Sequence, residues 1–465
     1  MVFPTITFAV FFAVVLPVSW ALVRTPGAWK WFLVVASYVF YAAADWKFLF
    51  LLGGVTLGNH LFAHLIHRAD DEERRKWLVR IVVTLDLLLL GVFKYYGFFV
   101  EQADAALDDV GLGAPFPVLS IALPVGISFI TFHAISYVVD VGRRQLQPPP
   151  IVDLALYMSF FPHLVAGPIV RASEFLPQLR RPLDPKRVAV GTGVLLIVVG
   201  LVKKVVIADT LAREVVDPVF AVPEAYSSAD TLLAFYGYAV QIYCDFSGYT
   251  DIAIGIAMLM GLTFPKNFDR PFASQSIGEF WRRWHMTLSR FVRDYIYIPL
   301  GGARKGPARG LINNFITMVL VGLWHGAAWG FIVFGAMHGF VMGAERVWTQ
   351  KFRWRPPTWG KHVLVLLFLG FSLVPFRAPD MNDVFVLWGQ LFAEGPATLW
   401  SPVPVLMIVA VIGSHLLPLR AVFRVRKWVA DLPVPALSAG LAATVVVVAA
   451  TIPSQGVPPF IYFQF

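Results

Sequence analysis

Long apolar stretches recur along this chain, and they limit its fold class before anything else does. At about 2–23, 30–43, 47–66, 81–100, 119–139, 188–207, 229–261, 361–377, 403–419 and 436–453 the sequence approaches or exceeds the apolar length that a membrane helix needs, roughly 20 residues, although 30–43 is short of it. Hydrophobic residues make up 58% of the 465 positions and charged residues 14%, whereas soluble domains carry about 25% charged. Lipid offers no partner for backbone N–H and C=O groups, so a spanning segment satisfies its own by becoming a helix. The expected fold is all-α: a polytopic integral membrane protein with about eleven spanning helices plus re-entrant and interfacial amphipathic helices. Residues 1–465 read as a single membrane-embedded domain. The stretch 2–23 lacks a basic leader and a small-residue cleavage site, and reads as the first span.

Charge gives this arrangement a direction. The segment 67–80 carries Arg68, Arg74, Arg75, Lys76 and Arg80 and is expected inside; 101–118 carries Glu101, Asp104, Asp108 and Asp109 with no Lys or Arg and is expected outside. Counting spans backward puts the N-terminus outside. Basic residues flank 153–169 on both sides, and Pro162, Gly167 and Pro168 interrupt it, so a re-entrant or buried broken segment is expected there. The span 188–207 should lead to an outside stretch with Asp209, Glu214, Asp217 and Glu224. Basic residues also flank 311–345, which reads as a hairpin turning near the glycines at 322, 326 and 330. The piece 383–394 is too short to cross, and basic turns follow at 420–427.

Between the apolar spans lies a basic block. Residues 262–310 hold nine Lys/Arg against three acids. Aromatic residues interleave with these cations, which favours anionic lipids or another anionic partner over nucleic acid. At about 100° per residue, 276–295 reads as one amphipathic helix. Its aromatic face carries Trp281, Trp284, Leu288 and Phe291, and its cationic face Arg282, Arg283, Arg290 and Arg293. His285 sits at the edge of the apolar face and is expected near the cytoplasmic surface, unless neighbours bury its helix. His325 follows an apolar run and is expected deep in the membrane, where an ionisable group is costly and marks function by default. A buried histidine bonded to a carbonyl is the plainer alternative.

Other candidates are weaker. His60, His64 and His67 share a helix face, yet no carboxylate motif accompanies them, and no metal site is assigned. Cys244, the single cysteine, excludes an internal disulfide, and suits packing better than a covalent thioester. Asp245, Ser247, Tyr249 and Asp251 form a polar cluster that suits either helix packing or a substrate tunnel. Lys203 and Lys204 are expected to snorkel to an interface. His133, His163 and His338 receive no chemistry. No Walker loop, Rossmann fingerprint or GxSxG elbow is present, and no internal repeat supports an inverted-repeat transporter.

The motifs FWRRWHMTLSRFVRDYIYIPLGG and GLWHGAAWGFIVFGAMHG, preceded by PVGISFITFHAISYVVD, FFPHLVAGPIVR and YCDFSGYTDIAIG, together resemble the membrane-bound O-acyltransferases. The resemblance covers about 120–340 and is to the bacterial branch that holds the alginate O-acetylation membrane subunit and the lipoteichoic acid D-alanyl transfer protein. The terminal FIYFQF is similar to the polysaccharide-acetylating members. It implies a multi-pass protein of the bacterial cytoplasmic membrane with two site histidines: the essential one maps onto His325 and the second onto His285. It also implies an acyl group, acetyl first, passed from a cytoplasmic thioester to a hydroxyl on an extracytoplasmic polysaccharide or partner protein. No cofactor is held tightly; the donor, acetyl-CoA or an acyl-phosphopantetheine carrier, is a co-substrate. Arg282, Arg283, Arg290 and Arg293 are candidates for its phosphates, lipid headgroups being the other reading. D-alanyl transfer from a phosphopantetheine carrier protein and non-catalytic transport of polysaccharide or lipid are the alternatives.

Overall fold

The computed structural model describes residues 1, 3–111, 122–418, 420, 421, 424, 433–451, 458 and 460. Among them there is no strand, as the backbone argument requires. Residues 112–118 of the acidic segment, Arg426 and Lys427 of the basic turn, and all of FIYFQF except Phe460 lie outside the described residues. Three helices, Phe48–Arg68, Val190–Ala221 and Thr358–Arg377, are long and apolar enough to cross a membrane by length and composition. The described residues form two compact units, Met1–Gly193 with Ala253–Pro265, and Val194–Ile252 with Lys266–Phe465.

The first unit begins with α1 (Ile6–Leu22), α2 (Pro26–Ala42), α3 (Phe48–Arg68), α4 (Glu72–Asp109), α5 (Ile127–Gly142) and α6 (Ile151–Ser159). Asp71 starts α4 by accepting the Arg74 N–H at 2.6 Å, the usual remedy for an orphan donor at a helix start. α4 is 38 residues long, about 57 Å at 1.5 Å per residue. Its basic start and acidic end are therefore helical rather than looped, and both outrun a hydrocarbon core of about 30 Å. Arg75 and Arg144 fasten the ends of α3, α4 and α5 by donating to the carbonyls of Gly142, at 3.1 Å, and Ala69, at 2.8 Å. The expected broken segment is present. α6 stops at Phe160, a short helix Phe161–Leu164 follows, and every residue from 153 to 170 is buried. Lys30 pairs with Asp153 at 2.7 Å beneath it.

In the second unit, α7 (Val190–Ala221, residues 194 onward) and α8 (Ser228–Leu259, up to Ile252) cross where Gly200 meets Gly248; a Cβ on either would strike the carbonyl oxygen of the other. The snorkelling expected of Lys204 fails here. α7 runs on through the acid-rich stretch as far as Ala221 by way of π-helical turns at Val202–Ala208 and Ala212–Val216. Asp209 is thus buried, and Lys204 does not snorkel. Its Nζ lies 2.6 Å from Asp209 and 2.7 Å from Asp245, while Lys203 reaches Asp251 at 2.7 Å. A buried ammonium is tolerable only when it is paired in this way.

The unit continues with α9 (Ile277–Arg283), α10 (Met286–Val292), α11 (Pro307–His325), α12 (Trp329–Lys351), α13 (Thr358–Ser372), α14 (Pro402–Leu416) and α15 (Val434–Thr451). A further short helix, Met381–Gly389, is far too short to span, as expected. α11 and α12 form the expected hairpin, with its turn at 326–328. Small residues let the two backbones touch: a Cβ on Gly322 would strike the Phe331 carbonyl, and one on Gly335 that of Met318.

Candidate active site

The amphipathic stretch is not one helix. Ser276 opens α9 by accepting the Glu279 N–H at 3.0 Å, and the Glu279 carboxylate accepts the Gln275 N–H at 2.9 Å, close to a capping box. The helix ends at Arg283. Trp284 is extended, and His285 adopts the left-handed conformation, with φ 43° and ψ 54°. The loop before α9 explains the break. The Asp269 N–H donates to the Arg283 carbonyl at 2.8 Å, and the Asn267 carbonyl accepts the Met286 N–H at 2.8 Å. The Thr287 N–H, natural partner of the Arg283 carbonyl, goes instead to Asn267 Oδ1 at 3.2 Å. Backbone groups that would continue a helix are spent on another segment. A residue other than glycine held at such a φ is strained, and such strain concentrates at functional sites.

The break also moves His285. Neighbouring elements enclose it, and it is fully buried. Its Nδ1 lies 3.2 Å from Asn267 Oδ1, and its ring packs edge-on against Phe246 at 4.7 Å. Burial holds its pKa down to about 3, so the ring is neutral at physiological pH. His285 lies between two seven-residue helices, neither long enough to span.

His325 is the last residue of α11 and is 4% exposed. The next residue, Gly326, has no room for a side chain, because a Cβ would run into the Phe331 ring. Around His325 stand Trp324 at 4.9 Å, Phe376 at 4.9 Å and Phe334 at 6.4 Å between ring centroids. Trp324 also contacts His285 at 5.9 Å, so one indole touches both histidines named from the sequence.

A small cavity of about 20 Å³ lies beside His325, lined also by His338, Trp281, Trp284, Phe334 and Phe376. That is room for about one water-sized group. His338, given no chemistry from the sequence, is fully buried. It accepts the Trp281 indole N–H on Nδ1 at 3.1 Å, and its Nε2 sits 3.1 Å from Ser372 Oγ. An indole can only donate, so Nδ1 is bare and Nε2 carries the proton. The sequence signal for it was a histidine among small residues in GAMHG. For Asn267 there was none.

The break divides the four arginines: Arg282 and Arg283 precede it, and Arg290 and Arg293 follow it. Arg283 pairs with Glu279 at 2.8 Å and donates to the Asp269 carbonyl at 3.2 Å; Arg293 pairs with Asp294 at 2.6 Å; Arg282 is exposed. Cys244 is fully buried in α8. In the first unit the His60 and His64 rings meet at 4.6 Å. No cluster of three or more His, Cys, Asp or Glu residues suited to a metal occurs among the described residues.

The model of the membrane-bound O-acyltransferase family matches residues 36–376. The chain is similar to a probable alginate O-acetylase AlgI of Pseudomonas putida, 40% identical over 372 residues, covering 78% of this chain and 74% of that protein. A peptidoglycan O-acetyltransferase of Helicobacter pylori is 34% identical over 409 residues, covering 81% and 76%. A teichoic acid D-alanyltransferase of Bacillus subtilis is 29% identical over 265 residues, covering 54% and 67%.

Proposed function

We propose that this protein, which belongs to the membrane-bound O-acyltransferase family, moves an acetyl group from a cytoplasmic thioester to a hydroxyl of an extracytoplasmic polysaccharide or partner protein, with His325 as general base. O-acyltransfer is the family's chemistry; the donor, the acceptor and the residue roles are the proposal. The observation that carries it is His325 itself, a buried imidazole at the end of a tightly packed hairpin, beside a cavity and one indole away from a second buried imidazole. Acetyl is favoured over D-alanyl because the two O-acetylating relatives match more of the chain at higher identity.

In the reaction the acceptor hydroxyl attacks the thioester carbonyl carbon while His325 takes its proton. The tetrahedral oxyanion collapses and expels the sulfur. The thiolate leaves with the proton returned by the imidazolium, giving an ester and a free thiol. A thioester is already activated, so the step consumes no nucleotide. It needs a base that titrates near neutrality, which histidine supplies. The test is transfer of labelled acetyl from acetyl-CoA, or from an acetyl-phosphopantetheine carrier, by purified protein, together with mass spectrometry of envelope glycans from wild-type and deletion cells. Loss of O-acetyl groups on deletion is expected. Unchanged glycans, or solute movement with no thioester cleavage, would overturn the reading.

A further inference from the structure

Asn267 is 1% exposed and sits against the strained turn that carries His285. The two ends of its amide can be told apart. A backbone N–H only donates, so the amide atom 3.2 Å from the Thr287 N–H is the oxygen. The same oxygen accepts the Thr287 hydroxyl at 2.8 Å, and the amide nitrogen faces Thr250 Oγ1 at 3.5 Å. His285 Nδ1 therefore looks, at 3.2 Å, at an atom that has no proton to give. Two lone pairs would oppose each other there unless Nδ1 carries the hydrogen. The ring is neutral and has one N–H to place. Nε2 is then bare, and it is buried with no hydrogen-bond partner among the described residues.

We infer that Asn267 is a positioning residue that holds His285 protonated on Nδ1, so that this imidazole presents substrate with a bare Nε2 that accepts a hydrogen bond and does not donate one. The assignment rests on the acyl-transfer reading for its kinetic consequences, but the tautomer does not depend on that reading. It narrows what His285 does. A bare nitrogen cannot stabilise the oxyanion of the tetrahedral intermediate, which needs a donor. It receives an O–H or amide N–H from the substrates and so fixes their approach to the thioester carbon.

The inference is tested by two readouts on the purified full-length protein. The first is ¹⁵N NMR of histidine-labelled protein, with the His285 signals identified by their loss in His285→Gln. A protonated Nδ1 and a bare Nε2 are expected in wild type and in Asn267→Asp, which keeps the acceptor oxygen; in Asn267→Leu the single tautomer should be lost. A protonated Nε2 in the wild type would overturn the assignment. The second is a double-mutant cycle on acyl transfer. Asn267→Leu should lower turnover at least tenfold, Asn267→Asp should stay within a few-fold of wild type, and Asn267→Leu combined with His285→Ala should be no slower than His285→Ala alone. Losses that multiply would show that Asn267 acts only on the turn, and would refute the positioning role. Near wild-type turnover in His285→Ala, with the tautomer intact, would instead remove His285 from the reaction and leave the tautomer standing.

Discussion

At the scale of single residues, the two histidines are buried alike but held differently. His325 ends a helix among aromatic rings; His285 sits at a break in another, clamped by a distant asparagine. Loss of a general base costs about 10² to 10⁴ in rate, so His325→Ala should lower kcat by that factor with little change in KM, measured as acyl transfer from a labelled thioester. His325→Gln should fare no better, because an amide accepts a hydrogen bond but not the proton. His285 also predicts a pH effect on stability. Its folded pKa, about 3, lies below the ordinary histidine value of 6.5, so between these values the unfolded chain binds the proton and the folded chain does not. That contribution is fully present above about pH 6.5 and is lost as pH falls toward 3. Thermal melts of wild type and His285→Gln should show the smaller acid sensitivity in the variant.

At the scale of elements, the hairpin and the broken amphipathic segment contrast usefully. The hairpin was legible because its signals are local: basic residues on both flanks and glycines at the turn. Its close packing predicts that Gly335→Ala, which puts a methyl group against the Met318 carbonyl, should destabilise by about 1–3 kcal/mol, read as a lowered unfolding midpoint. The helix break was not legible, because periodicity reports which face is apolar and is silent on hydrogen bonds from a loop nearly twenty residues upstream. The break reassigns the arginines. Arg283 and Arg293 are held by acids, so Arg282→Gln should raise the donor KM while Arg293→Gln leaves it near wild type. Equal KM in all four single variants would favour lipid headgroups as the arginines' partners.

Across the molecule, the charge pattern and the buried ion pairs make separate predictions. The two ends of α4 outrun a bilayer, so cysteines at Glu73 and Asp108, both exposed, should label from opposite faces; labelling of both from one face would refute the topology. Asp104 does not suit this test because it is buried. Lys204→Met leaves Asp209 and Asp245 buried without their cation, and breaking such a pair costs about 3–5 kcal/mol. A large drop in melting temperature is expected. A much smaller drop in Lys204→Met with Asp209→Asn would assign it to stranded charge.

By itself the sequence determined the all-helical class, the places of most helices, the buried broken segment and the hairpin that turns just after His325, because each follows from apolar length, backbone satisfaction, basic flanks and local breakers. It also named both histidines, through the motifs around them. Only tertiary structure decided that His285 is buried, that α7 runs on through its acids, and that His338 and Asn267 belong to the site. Each of these rests on a partner distant in the chain: Asn267 for His285, Asp245 for Lys204, Trp281 and Ser372 for His338. Spacing along a helix carries no record of such partners, since a hydrogen bond or ion pair across the fold depends on distances that exist only once the chain has folded.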